Sequence, residues 1–133
     1  MTKKSIVLSI AVIFVFVFVF EMIFHGFLLR DLYIETATLW RSTQEMQSFF
    51  PLSTGVQILF TTVFVLFYNF IVKDFNIRSA LTFGVFIGLL FAISQFGLYA
   101  YMPIPIGLAL AWFVGIFIES VLMGLIIGLM NKR

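Results

Sequence analysis

Two carboxylates and the chain's single histidine sit inside long apolar runs, where a charged group is costly unless it is paired or neutralised. Glu21 and His25 are four residues apart, so on a helix they share a face, one turn from each other. Glu119 lies near the middle of a different apolar run, in line with Ala111 and Gly115 at four-residue spacing. That line of small residues should point at neighbouring helices rather than at lipid. At about 1.5 Å per residue, Glu21, Gln57 and Gln95 come out at a similar depth, with Glu119 and Thr61 about a turn deeper. A polar layer of Glu21, His25, Gln57, Gln95 and Glu119 could therefore cross a helical bundle. It could exchange protons, or bind a cation or a small amphipathic ligand. The same side chains could instead serve as interhelical glue, at roughly 0.5–2 kcal/mol per hydrogen bond.

Other chemistries find little support. The chain has no cysteine, which excludes disulfides, thiolate metal sites and thiol nucleophiles. Glu21 and His25 offer two metal ligands and Glu119 a third, but with one histidine and no cysteine no metal site is assigned. A bis-histidine haem would require two copies of the chain, and no cofactor is expected. Ser94 and Ser120 lack the glycine-flanked elbow of a serine nucleophile, and hydroxyls in membrane helices usually bond their own backbone. Phosphate-binding glycine loops and dinucleotide fingerprints are also missing. No catalytic residue is assigned, and an enzyme is the less favoured reading. Its form would be lipid modification by Glu21, His25 and Asp31 or Glu35. A net charge of +2, scattered along the chain, leaves no nucleic-acid footprint.

The elements that must position these residues follow from composition. Of 133 residues, 62% are hydrophobic and 11% charged, and the mean hydropathy is +1.16. A water-soluble fold of this length could not hide that much apolar surface. At about 20 residues per crossing, the chain has room for four spans and short connections. The expected fold is an all-α integral membrane protein, a four-transmembrane-helix bundle in a single membrane domain, 1–133. The spans are expected at about 5–29, 51–72, 79–102 and 106–130, with a short amphipathic outer-face segment at 31–50. The first run is too long for a signal peptide and lacks a small-x-small cleavage site. Its Val/Phe alternation from Phe14 to Phe20 would suggest a strand in water, but an isolated strand in lipid leaves its backbone unpaired, so a helix is expected. Pro51 suits the first turn of the second span, and Pro103-Ile104-Pro105 makes a tight turn between the third and fourth.

Basic residues set the expected orientation. Lys3, Lys4, Lys73, Arg78, Lys132 and Arg133 fall on one side, and only Arg30 and Arg41 on the other. The N- and C-termini are then cytoplasmic in a multi-pass protein of the cell (inner) membrane. Trp40, Tyr99 and Tyr101 fall near the opposite interface, where amphipathic rings are favoured. The 31–50 segment is expected to lie on the membrane surface or cap the bundle, in preference to forming a lid over a cavity. Close helix packing requires small residues, and Gly84, Gly88 and Ala92 on the third span face the task with Gly115, Ser120, Gly124 and Gly128 on the fourth. The first two spans, rich in Phe and Val, are expected to face lipid more. The partners expected are the lipid bilayer and either a second copy or another membrane protein.

In size, span number and the first-span carboxylate Glu21, the chain resembles the small multidrug-resistance exporters. That resemblance implies proton-coupled export through Glu21. It stops there, because about twenty residues separate the first two spans where that family has a short connection, and the family's later aromatic and glycine motifs have no match. The stretch from His25-Gly26 to Trp40-Arg41 also resembles small bacterial membrane proteins of uncharacterised activity. No family is assigned. Three activities remain: a binding or transport module built on the polar layer, a structural or accessory subunit that uses it as glue, and a membrane-embedded lipid-modifying enzyme.

Overall fold

The computed structural model describes residues 1–132, and Arg133, counted above with the basic residues, lies outside them. Four long helices carry the structure: α1 (Lys3–Ile23), α4 (Phe50–Ile71), α5 (Ile77–Gly97) and α6 (Ile106–Asn131). Two short ones, α2 (Arg30–Glu35) and α3 (Thr43–Ser48), lie between α1 and α4. Among the described residues there is no strand, and four helices are long and apolar enough to cross a membrane. The Val/Phe stretch 14–20 is helical throughout.

Local chemistry fixes the helix ends. The Thr2 hydroxyl accepts from the Ser5 amide to start α1, and the Asn76 side chain accepts from the Ser79 amide to start α5. Ser42 and Glu45 form a reciprocal capping box at α3. Pro51 sits in the first turn of α4, where its missing N–H costs nothing. Pro105 ends the turn before α6.

The helices run alternately up and down. The start of α1, the end of α4, the start of α5 and the end of α6 meet at one end, where the N-terminal ammonium donates to Asn69 Oδ1 at 2.9 Å. There Ser5 Oγ donates to Asn131 Oδ1, and Asn131 Nδ2 donates to Ser9 Oγ at 3.1 Å, tying α1 to α6. That end also carries Lys3, Lys4, Lys73, Arg78 and Lys132, whereas Arg30 and Arg41 lie at the other.

Two kinds of packing hold the bundle. Between α5 and α6 the backbones touch: a Cβ added at Gly84 would meet Ser120 O at 2.6 Å, and one at Gly124 would meet Ala80 O at 2.6 Å. Gly88 lies against Ser120 and Phe117, and Gly128 against Ala80. Ala92 is fully buried on the same α5 face. Gly115 does a different task, because its missing side chain makes room for the Phe24 ring of the first span. Between α4 and α5, by contrast, rings keep the backbones apart. Phe83 meets Phe64, Phe67 and Tyr68 at centroid distances of 5.2, 5.8 and 5.5 Å, and Phe91 meets Phe60 at 5.6 Å. The main core lies at the level of these rings, with Ile13, Val17, Val65, Met123 and Ile127.

Candidate functional site: a carboxylate-lined cavity

Just beyond α1 the helix widens into a single π-helical turn, Phe24–Leu28, closed by the Leu29 amide donating to Phe24 O at 3.0 Å. Such turns insert an extra residue per turn and are frequent at functional sites. Phe24 is anchored against Gly115, and the widened turn carries His25 past it to the inner side of the bundle. His25 Nε2 lies 3.3 Å from Glu21 Oε2, so the four-residue spacing survives as a direct contact.

The chain then folds back over the top of α6. Leu29 packs with Ile104, Leu108, Ala109 and Trp112 in a second core, and Leu32, Tyr33 and Trp40 pack against it. The burial of these side chains is what holds α2 down. Thr36 Oγ1 donates to Leu32 O at 2.7 Å and accepts from Trp40 Nε1 at 2.8 Å. The Trp40 ring thereby meets Tyr33 and Trp112 edge-on, at 5.6 and 6.0 Å. The 31–50 segment thus divides. Met46, Phe49 and Phe50 stay on the surface, whereas Tyr33 and Trp40 turn inward, so part of the segment covers a cavity.

Tyr33 closes a hydrogen-bonded series. Trp112 Nε1 donates to the Tyr33 oxygen at 2.7 Å, and that oxygen lies 2.6 Å from His25 Nδ1. With its oxygen accepting from Trp112, the Tyr33 hydroxyl proton points to Nδ1, which leaves the imidazole proton on Nε2, facing Glu21. The series therefore runs Trp112, Tyr33, His25, Glu21, with every donor used. Burial, opposed by the Trp112 hydrogen bond and aided by the charge of Glu21, raises the Tyr33 phenol above its ordinary range.

Below this series lies a cavity of about 510 Å³. Its polar wall is Glu21, His25, Tyr33, Gln57, Gln95 and Glu119, with the Ser94 and Ser120 side chains beside them. Val17, Phe60, Phe91, Trp112 and Ile116 supply the apolar wall. All five residues of the expected polar layer border this one space, contributed by α1, the π turn, α4, α5 and α6. Thr61 does not border it; its hydroxyl donates to its own helix at Gln57 O and Ile58 O. Ser94 likewise bonds Leu90 O. Glu119 is 6% exposed, and its Oε1 has no hydrogen-bond partner among the described residues. Among the described residues no lysine or arginine borders the cavity. Among the described residues no group of three or more His, Asp or Glu side chains is placed to hold a metal ion.

Tyr33 and Trp112 are absent from the sequence-based site. Trp112 was within reach of periodicity, since it stands seven residues before Glu119 and shares its helix face. Tyr33 was not, because the π turn and the change of direction at Leu29 break the helical period between it and His25. No known protein family, curated protein or solved structure matches the chain.

Proposed function

We propose that the chain is a multi-pass protein of the cell membrane, the inner membrane of a bacterial-type cell, with both termini cytoplasmic. Its cavity is a binding or transport site for a proton, a cation or the cationic head of a small amphiphile. One observation carries this reading: a carboxylate 6% exposed, with an unpartnered oxygen, borders a cavity that holds a second carboxylate and no basic side chain beyond His25. A buried carboxylate needs either a proton or a cation, and among the described residues no lysine or arginine lines the cavity to supply one. The walls suit such a guest. Phe60, Phe91 and Trp112 bring aromatic rings to the wall, which can attract a positive charge, and Gln57 and Gln95 bring amides whose oxygens can replace lost water. The Tyr33–His25–Glu21 series supports a route for protons between the α2 end and the cavity.

The test uses octylammonium as probe and, as readout, the tryptophan emission of a Trp40→Phe background, in which Trp112 in the cavity wall is the sole tryptophan. Saturable binding to this background is expected, weakened at least tenfold by adding Glu119→Gln, with the circular dichroism of the variant unchanged. Equal binding by both proteins would overturn the reading. A Glu119→Gln variant that loses stability but keeps its affinity would identify the layer as interhelical glue.

A further inference from the structure

A second cavity, also about 510 Å³, opens between the end of α4 and the start of α5, at the opposite end of the molecule from α2 and α3. It exists because Phe83 wedges the two helices apart. The Phe83 ring meets three rings of α4, and beyond that wedge the connection 72–76 bridges the gap. The space is graded in polarity. Towards the connection it is bordered by Lys73, Asp74, Arg78, Ser79 and Thr82, and along the helices by Phe67, Ile71 and Phe86.

Its charges are free. Lys73 Nζ reaches only the Phe70 carbonyl, at 3.5 Å, and neither Lys73 nor Arg78 forms an ion pair with Asp74 or any other carboxylate among the described residues. Two cations against one carboxylate leave one net positive charge. Phe67, Ile71 and Phe86 are 44, 49 and 68% exposed, so the apolar wall continues outward onto the helix surface.

We propose that this cavity binds an anionic phospholipid, with its phosphodiester between Lys73 and Arg78 and an acyl chain along Phe67, Ile71 and Phe86. Charge complementarity selects the occupant. A phosphodiester carries one negative charge, matching the net charge of the site. Arginine grips its oxygens through paired N–H donors, and lysine adds a point charge. Basic pockets between spans on the cytoplasmic side are where anionic headgroups collect. Asp74 tunes the site by opposing a second negative charge. The inference rests on the membrane reading but not on the carboxylate cavity, which lies at the other end of the bundle.

The experiment is native mass spectrometry of the purified full chain with dihexanoyl-phosphatidylglycerol, dihexanoyl-phosphatidylcholine or glycerol 3-phosphate. Phosphatidylglycerol should bind at least tenfold more tightly than phosphatidylcholine, and more tightly than glycerol 3-phosphate, which carries the phosphate but no acyl chain. Lys73→Gln with Arg78→Gln should abolish the preference, Asp74→Asn should increase it, and Lys3→Gln with Lys4→Gln should leave it unchanged. Both replaced side chains are exposed, and circular dichroism of the double variant checks its fold. Equal binding of the two lipids by the wild type, or a preference that survives in the double variant, would overturn the proposal. Glycerol 3-phosphate binding as tightly as the lipid would also overturn it, because the apolar wall would then have no role.

Discussion

The residue on which the carboxylate cavity turns is Tyr33, whose oxygen accepts from Trp112 and whose hydrogen satisfies His25. Tyr33→Phe removes one hydroxyl but strands two partners, the buried Trp112 and the half-buried His25, an asymmetry that makes such deletions cost about 1–3 kcal/mol. That loss should appear in denaturant unfolding in mixed micelles, together with a shift in tryptophan emission. The phenol also links stability to pH. Its ionisation is raised in the fold, so its stabilising effect is complete below the ordinary phenol value of 10.0 and is lost as pH climbs through the higher folded value. Melting temperature should therefore fall more steeply above pH 10 in the wild type than in Tyr33→Phe, which has no phenol to ionise. At this scale the sequence was readable where a carboxylate, a histidine or a glutamine interrupts an apolar run. Glu21, His25, Gln57, Gln95 and Glu119 all announce themselves that way, and all border one cavity. Tyr33 does not, since nothing polar stands out in a mixed segment.

Among the elements, the α5–α6 pair is the one whose packing can be tested by a single carbon. Gly84→Ala would press a methyl against the Ser120 carbonyl at 2.6 Å, backbone that cannot rotate away, and should cost about 1–3 kcal/mol by overpacking. Gly55→Ala, in α4, meets nothing within 4 Å and should instead stabilise by up to about 1 kcal/mol through helix propensity. Comparing the two by reversible unfolding in mixed micelles separates close approach from mere helix-breaking. The spacing of Gly84, Gly88, Gly124 and Gly128 made the contact face legible, because small residues repeat at helical intervals for few other reasons. Gly115 shows the limit of such stripes: a glycine of the same helix receives the Phe24 ring of the π turn. The π turn was invisible, for no local sequence signal marks it and what accompanies it, the seating of Phe24 against Gly115, is a tertiary contact.

For the molecule as a whole, charge is sorted by end. Lys3, Lys4, Lys73, Arg78 and Lys132 gather where α1 begins and α6 finishes, and the proposed orientation places that end in the cytoplasm. The absence of cysteine makes the check direct. In intact cells a membrane-impermeant maleimide should label Glu45→Cys but not Lys73→Cys, which should react only after the membrane is opened. The reverse pattern would invert the protein. Helix number and direction were legible from apolar length and proline positions. The cavities were not, because they arise from ring size and helix separation in three dimensions.

The contrast between the two packing modes has a mechanical corollary. Where α5 and α6 cross at Gly84 and Gly124, backbone lies against backbone with no side chain between them that could rotate to let the helices shift. Between α4 and α5 the contact is made by rings that meet edge-on or tilted, and a side-chain ring can re-tilt where a backbone contact cannot. Swelling of the space around Glu119 to admit a guest is then taken up most readily by displacement of α4, with the glycine hairpin as the fixed jaw of the clamp.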